Sequence, residues 1–217
     1  MQMPIRHHIS DQLLMAYSAG QLPEAFSLVM AVHLSMCDEC KARLGAFDAV
    51  GGAVMDRCDV VAMDTGSLAA TLAKLDMPVK GTPSQALPHV QSSLPAPLAD
   101  YIGGDLSAVK WRSLGAGVRQ AILPTDNTAS ARLLYIPAGK AVPDHSHRGT
   151  ELTLVLQGAF HDEIDRFGPG DLEISDEDIN HQPIAEAGEA CICLAATDAP
   201  LRFNALVPRL LQPFFRI

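Results

Sequence analysis

Between Met77 and Asp100 the chain reads MPVKGTPSQALPHVQSSLPAPLAD, with prolines at 78, 83, 88, 95 and 97. Prolines at that density oppose a regular helix, and little in the stretch offers an anchor for a core. A semi-extended linker over 81–100 is therefore expected. The apolar pattern changes across it. Before it the period is helical. Ser10 suits an N-cap ahead of Leu13, Leu14 and Tyr17, with Gly20 as the stop. Pro23 suits the first turn of a second helix running through Ala31, a third starts near Asp38, and a fourth spans Ser67–Asp76 with Leu68, Leu72 and Leu75 on one face. After the strip the period is two, in short runs such as Val118–Ile122, Arg132–Ile136, Leu152–Leu156 and Cys191–Leu194. The expected fold is α + β in two domains: a small helical zinc-binding domain over 1–80 and an all-β barrel over 101–217.

Four short helices enclose little apolar volume, and domains of that size commonly rely on a metal. The cysteines at 37, 40, 58, 191 and 193 are odd in number and unevenly spaced, which argues against a disulfide framework. His33, Cys37 and Cys40 form H-x3-C-x2-C, a spacing that puts three donors on one helical stripe. One imidazole and two thiolates make three quarters of a tetrahedral zinc site. A separate element must supply the fourth donor, and His7 and His8 are equally placed to do so. The simpler reading of the pair, as small core residues, lacks a role for the histidines.

The second constellation runs from Gly139 to Gly158 as GKAVPDHSHRGTELTLVLQG. His145 and His147 share a strand face, but on a straight strand Glu151 would lie roughly 20 Å from His145. A shared ion requires the chain to reverse near Gly149, whose backbone freedom suits such a turn. The stretch matches G-x5-H-x-H-x3-E-x6-G and resembles the first motif of the cupins. Gly168-Pro169-Gly170-Asp171, with His181 ten residues beyond Asp171, resembles the second. That resemblance implies a small β-barrel holding one metal through His145, His147, Glu151 and His181. Such a ligand set suits zinc or another divalent ion without naming it. Cys191 and Cys193, two apart on an apolar strand, read as packed core residues, with an oxidisable thiol pair as the other option.

A helical His…His-x3-Cys-x2-Cys module ahead of a cupin is similar to the zinc-dependent anti-sigma (ZAS) family. HHISDQLLMAYSAGQLPEAFSLVMAVHLSMCDECKARLGAFDAVGG, GVRQAILP…ARLLYIPAGKAVPDHSHRGTELTLVLQGAF and the tail AATDAPLRFNALVPRLLQPFFRI carry the resemblance. It implies zinc on His8, His33, Cys37 and Cys40, and capture of an extracytoplasmic-function (ECF) sigma factor by the helical half. It also implies release through the cupin half under singlet oxygen or oxidative stress.

The net charge of −9 and the absence of a basic run oppose direct nucleic-acid binding and suit a basic protein partner. No apolar run is long enough to span a bilayer, and MQMPIRHHISDQ lacks the core of a signal peptide, so a cytoplasmic location is expected. The other functional class is a metal-dependent cupin enzyme of dioxygenase type with an accessory zinc module. A metal-storage or scaffold role is the blandest option.

Overall fold

The computed structural model describes residues 4–75 and 92–203. Residues 81–91 of the expected linker and the tail beyond 203 lie outside them. Five α-helices come first: α1 Asp11–Ser18, α2 Glu24–Met36, α3 Asp38–Met55, α4 Ser67–Leu75 and α5 Ala96–Ile102. Twelve strands follow: β1 Arg112–Gly115, β2 Val118–Ile122, β3 Ser130–Ile136, β4 His145–Ser146, β5 Glu151–Gln157, β6 Phe160–His161, β7 Arg166–Phe167, β8 Leu172–Ser175, β9 Asn180–His181, β10 Ile184–Ala185, β11 Cys191–Thr197 and β12 Arg202–Phe203. Local chemistry accounts for the helix starts. The Ser10 side chain accepts from the Leu13 N–H, Pro23 stands at the N-cap position of α2 without a side-chain cap, and Cys37 both ends α2 and caps α3 through its sulfur. The β-strands form a six-stranded antiparallel sheet in the order β1-β2-β3-β11-β5-β8. Two three-stranded sheets, β10-β6-β7 and β12-β4-β9, complete the barrel.

One feature differs from the proline argument. Helix α5 begins inside the stretch expected to be extended. Pro95 occupies its N-cap and Pro97 its first turn, where a missing N–H costs nothing, so these two prolines start a helix rather than prevent one. Leu98 of α5 is fully buried, as is most of Leu94, so the stretch does anchor a core. Gly103 ends the helix in the left-handed conformation at φ +72°.

Strand parity divides the large sheet between two environments. Ala131 and Leu133 of β3, Leu152 and Leu154 of β5, Leu172 of β8, and Leu194 and Ala196 of β11 face outward and pack with the helices in one continuous core. The alternate residues, Ile136, Val155, Cys191 and Cys193, face the barrel interior. Helix α2 lies on the outer sheet face against β11, β5 and β3, with α5 and α3 on its other sides. That is why it is apolar nearly all round, with Phe26, Leu28, Val29, Met30, Val32 and Leu34 all buried. The two halves are thus joined by a shared core as well as by sequence.

Candidate metal centres

The helical centre stands where three elements meet. His33 comes from the last turn of α2, Cys37 from the junction, Cys40 from the first turn of α3, and His8 from the extended segment before α1. One donor atom from each lies within 4.8 Å of all the others. His8 Nδ1 is 3.3 Å from Cys37 Sγ and 3.6 Å from Cys40 Sγ. A tetrahedral zinc with its usual bond lengths places such donors roughly 3.3–3.8 Å apart, so the four residues fit that ion. The chemistry of the site points the same way. His33 is completely buried, and neither ring nitrogen has a hydrogen-bond partner. Burial, then the neighbouring His8 charge, pulls its pKa down to about 4, against the opposing influence of the Gly170 backbone and Asp171. A neutral imidazole with a free lone pair is what a metal requires. Cys40 is pushed up to about 11, chiefly by burial, because without a cation its thiolate has little to stabilise it. The His8 Nε2 faces Glu39 at 3.4 Å, leaving Nδ1 for the ion.

His7, the alternative that spacing left open, turns the other way. Its Nε2 is 3.2 Å from Asp165 and its ring packs at a tilt of 42° against Phe167 with centroids 4.4 Å apart. The backbone here is bound to the barrel: Asp171 accepts from the Arg6 and His7 N–H groups, and the His7 carbonyl accepts from the Leu172 N–H.

The second centre lies at the barrel's inner wall. β4 pairs with β9 so that His145 stands opposite His181. His145, His147 and His181 offer nitrogens within 4.8 Å of one another, and all three are buried. His147 Nε2 and His181 Nε2 are 3.3 Å apart, and the buried His147 Nδ1 has no hydrogen-bond partner. Burial lowers His147 to about 4 and lowers His145 as well, so both rings favour the neutral, ligating form. Glu151 stands next to this set rather than within it. Its Oε2 is 3.9 Å from His147 Nδ1, while Oε1 accepts from the Thr153 hydroxyl. Three imidazoles with a carboxylate beside them fit a divalent ion with open positions.

The chain reverses before β5 as the motif requires, but Gly149 is needed for space rather than for a left-handed backbone. It is not among the positive-φ glycines, and a Cβ there would run into the Asp198 carboxylate, which accepts from the Thr150 N–H.

Sequence reasoning missed two residues of this site. Asp162, which sits in what reads as a solvated acidic turn, and Glu173 on β8 both reach His181 Nδ1, at 2.9 and 3.0 Å. Burial alone would lower the His181 pKa, but these two acids outweigh it and raise it to about 9. Burial lifts Glu173 to about 7. The acids keep a proton on Nδ1 and leave Nε2 aimed at the other two histidines, the usual arrangement behind a ligating imidazole. The inward parity of Glu173 was the one available sequence signal. Cys191 and Cys193 are both buried with sulfurs 3.5 Å apart, and Cys58 is exposed. Among the described residues, no helix is long and apolar enough to cross a membrane.

Comparison with known proteins follows the same division. A family described as the ChrR Cupin-like domain matches residues 100–199. Over 215 residues the chain is 63% identical to the anti-sigma-E factor ChrR of Cereibacter sphaeroides, covering 99% of this chain and 100% of that protein. The crystal structure of Rhodobacter sphaeroides SigE in complex with the anti-sigma ChrR matches with a TM-score of 0.80 at 62% identity, covering 90% of this chain and 100% of that one. An RmlC-like cupin from Ralstonia eutropha matches 48% of this chain and 71% of its own at 19% identity, with a TM-score of 0.41. On its identity and coverage against the Cereibacter protein, this chain belongs to the ChrR family of anti-sigma factors.

Proposed function

We propose that the helical half, residues 1–80, captures an ECF-type sigma factor when zinc occupies His8, His33, Cys37 and Cys40. On this reading the barrel, 101–217, is a sensor joined by the 81–100 segment, and it releases the sigma factor in response to singlet oxygen. The similarity to a chain solved as a complex with SigE supports the partner class, and the work is done in the cytoplasm, where sigma factors meet RNA polymerase. The relatives are named for holding a protein rather than for turning over a substrate, so the enzyme reading is set aside.

The observation that carries the proposal is a set of large apolar side chains on α3 and α4 that stay exposed among the described residues. Val50, Val54 and Met55 at the end of α3 are 60–75% exposed, and Leu68, Leu72 and Leu75 of α4 are 71, 52 and 78% exposed. Large apolar groups on two helices are costly to leave in water, at about 25 cal/mol per Å², and exposure of this kind suits a protein-binding face. The zinc's role would be structural: it would tie the segment before α1 to the α2–α3 junction and so preform the surface. In the barrel, a metal on His145, His147 and His181 would supply open coordination positions for a reactive oxygen species, and Asp162 and Glu173 fix the orientation of the His181 ring.

Leu72→Asp is expected to weaken sigma-factor binding by at least about tenfold, since roughly 1.4 kcal/mol of lost contact suffices. Zinc content and melting temperature should be unchanged because Leu72 is 52% exposed and lies outside the core formed by the described residues. Undiminished affinity in a titration would remove α4 from the interface. For release, the complex is illuminated with a photosensitiser in oxygenated buffer and free sigma factor is measured. Wild type is expected to release it and His145→Ala to retain it; equal release by both would remove the barrel's metal site from the sensing step.

A further inference from the structure

The barrel encloses a cavity of about 350 Å³. That is within the size range of sites for small organic ligands. Most of its wall is aliphatic or aromatic, including Val118, Leu134, Ile136, Val142, Phe160 and Phe203. Besides the histidines of the metal centre, the wall carries three charged side chains, Arg132, Glu151 and Glu173. Arg132 of β3 is 6% exposed and lines the cavity. Its guanidinium donates to the Gln120 amide oxygen at 3.3 Å and to the Ser130 hydroxyl at 3.1 Å, both neutral acceptors. Among the described residues no carboxylate oxygen comes within 4 Å of it. Strand register explains why. Arg132 stands opposite Ala195, which stands opposite Thr153, which stands opposite Glu173. Adjacent strands are about 4.8 Å apart, so Glu173 begins roughly 14 Å away across the sheet. Glu151 lies diagonal to this row, two strands from Arg132, and influences it only at a distance.

A buried guanidinium with no carboxylate in contact is expensive, and its planar fork of donors matches a carboxylate bidentately. We infer that the cavity is a binding site for a monocarboxylate with an apolar tail, its carboxylate held by Arg132 and its tail lying along the aliphatic wall. The tail is apolar because most of the wall is, and the charge is single because Arg132 is the only arginine or lysine among the described lining residues, while Glu151 and Glu173 on the same wall oppose a second negative charge. Histidines 145 and 181 line the same cavity, so an occupant would lie against the metal centre. The inference is independent of sigma-factor capture, because direct binding tests it.

Decanoate and decanol serve as probes in calorimetric titrations of the full chain. Decanoate is expected to bind saturably and at least about tenfold more tightly than decanol, the cost of leaving a buried charge unpaired. Arg132→Met is expected to erase that difference and to raise the melting temperature of the ligand-free protein, because it removes an uncompensated buried charge. Arg132→Lys keeps the charge without the fork and is expected to bind decanoate less tightly than wild type, which gives a second reading if the methionine variant misfolds. Equal affinity for the two probes overturns the assignment. So does decanoate binding that survives in Arg132→Met but is lost in His145→Ala, since the carboxylate would then be held by the metal site.

Discussion

Cys40→Ser is expected to strip zinc from the helical centre, lower the melting temperature by more than about 10 °C and weaken sigma-factor capture by more than about 100-fold. The size follows from what the metal would replace. Among the described residues α2 is anchored in the shared core, but in α3 only Cys40 is fully buried and α4 buries nothing, so the metal would do most to hold α3 in place. A structural zinc contributes about 10–16 kcal/mol in small zinc peptides, which is comparable to the whole stability of a typical domain at about 5–15 kcal/mol. Serine is smaller, stays protonated and is a poor zinc ligand, so three donors would have to hold what four are arranged to hold. Atomic emission on the purified variant, with a thermal melt and a sigma-factor titration, checks all three effects. Prolonged chelation of wild type should reproduce the variant. Cys58→Ser, at an exposed thiol, should leave every readout unchanged. A Cys40→Ser protein that keeps stoichiometric zinc and full affinity would refute the assignment.

Asp171→Ala is expected to cost about 3–5 kcal/mol and to speed zinc loss by at least about tenfold. Asp171 is 4% exposed and sits in the turn between β7 and β8. One carboxylate oxygen accepts from the backbone N–H groups of Arg6 at 2.6 Å and His7 at 2.9 Å, and the other from Gly168 at 2.8 Å. Burial by itself would raise the Asp171 pKa, but these three donors outweigh it and hold the group below the usual carboxylate range. Alanine leaves three N–H groups without their acceptor. Two of them immediately precede His8, so the barrel turn fixes the backbone that presents one of the proposed zinc donors. Gly170 makes the same junction tight: at φ +89° a Cβ there would stand 2.5 Å from the Ile5 side chain. The checks are a thermal melt, amide exchange at Arg6 and His7, and zinc transfer to a chromogenic chelator. A lowered melting temperature with unchanged zinc transfer would confine Asp171 to stabilising its own turn. Faster transfer would give the barrel a physical route to the helical centre, through the segment from Ile5 to His8.

The two motifs were legible because each is confined to one element or one short turn. His33, Cys37 and Cys40 are separated by roughly one helical turn each, and His145 and His147 by one strand repeat, so backbone periodicity alone groups them. The same holds for the Ser10 cap and for the inward and outward parity of β3, β5 and β11. The proline strip misled at its end because proline opposes a helix only in the interior, and at Pro95 and Pro97 it stands at the start. Asp162 was illegible for another reason: it stands among Glu163 and Asp165, and nothing within that stretch reveals that it reaches His181 from 19 residues away.

The sequence by itself determined which chemistry each half can perform, because ligand type and local spacing are properties of the covalent chain and its two regular periods. Spacing left open which of two adjacent histidines faces the thiols, and tertiary structure alone decided which acids stand behind His181, that no carboxylate among the described residues touches Arg132, and that α2 roofs the barrel. Each of those depends on groups brought together by packing from elements far apart in sequence, as Arg6 and Asp171 are at 165 residues, and no local period carries that information.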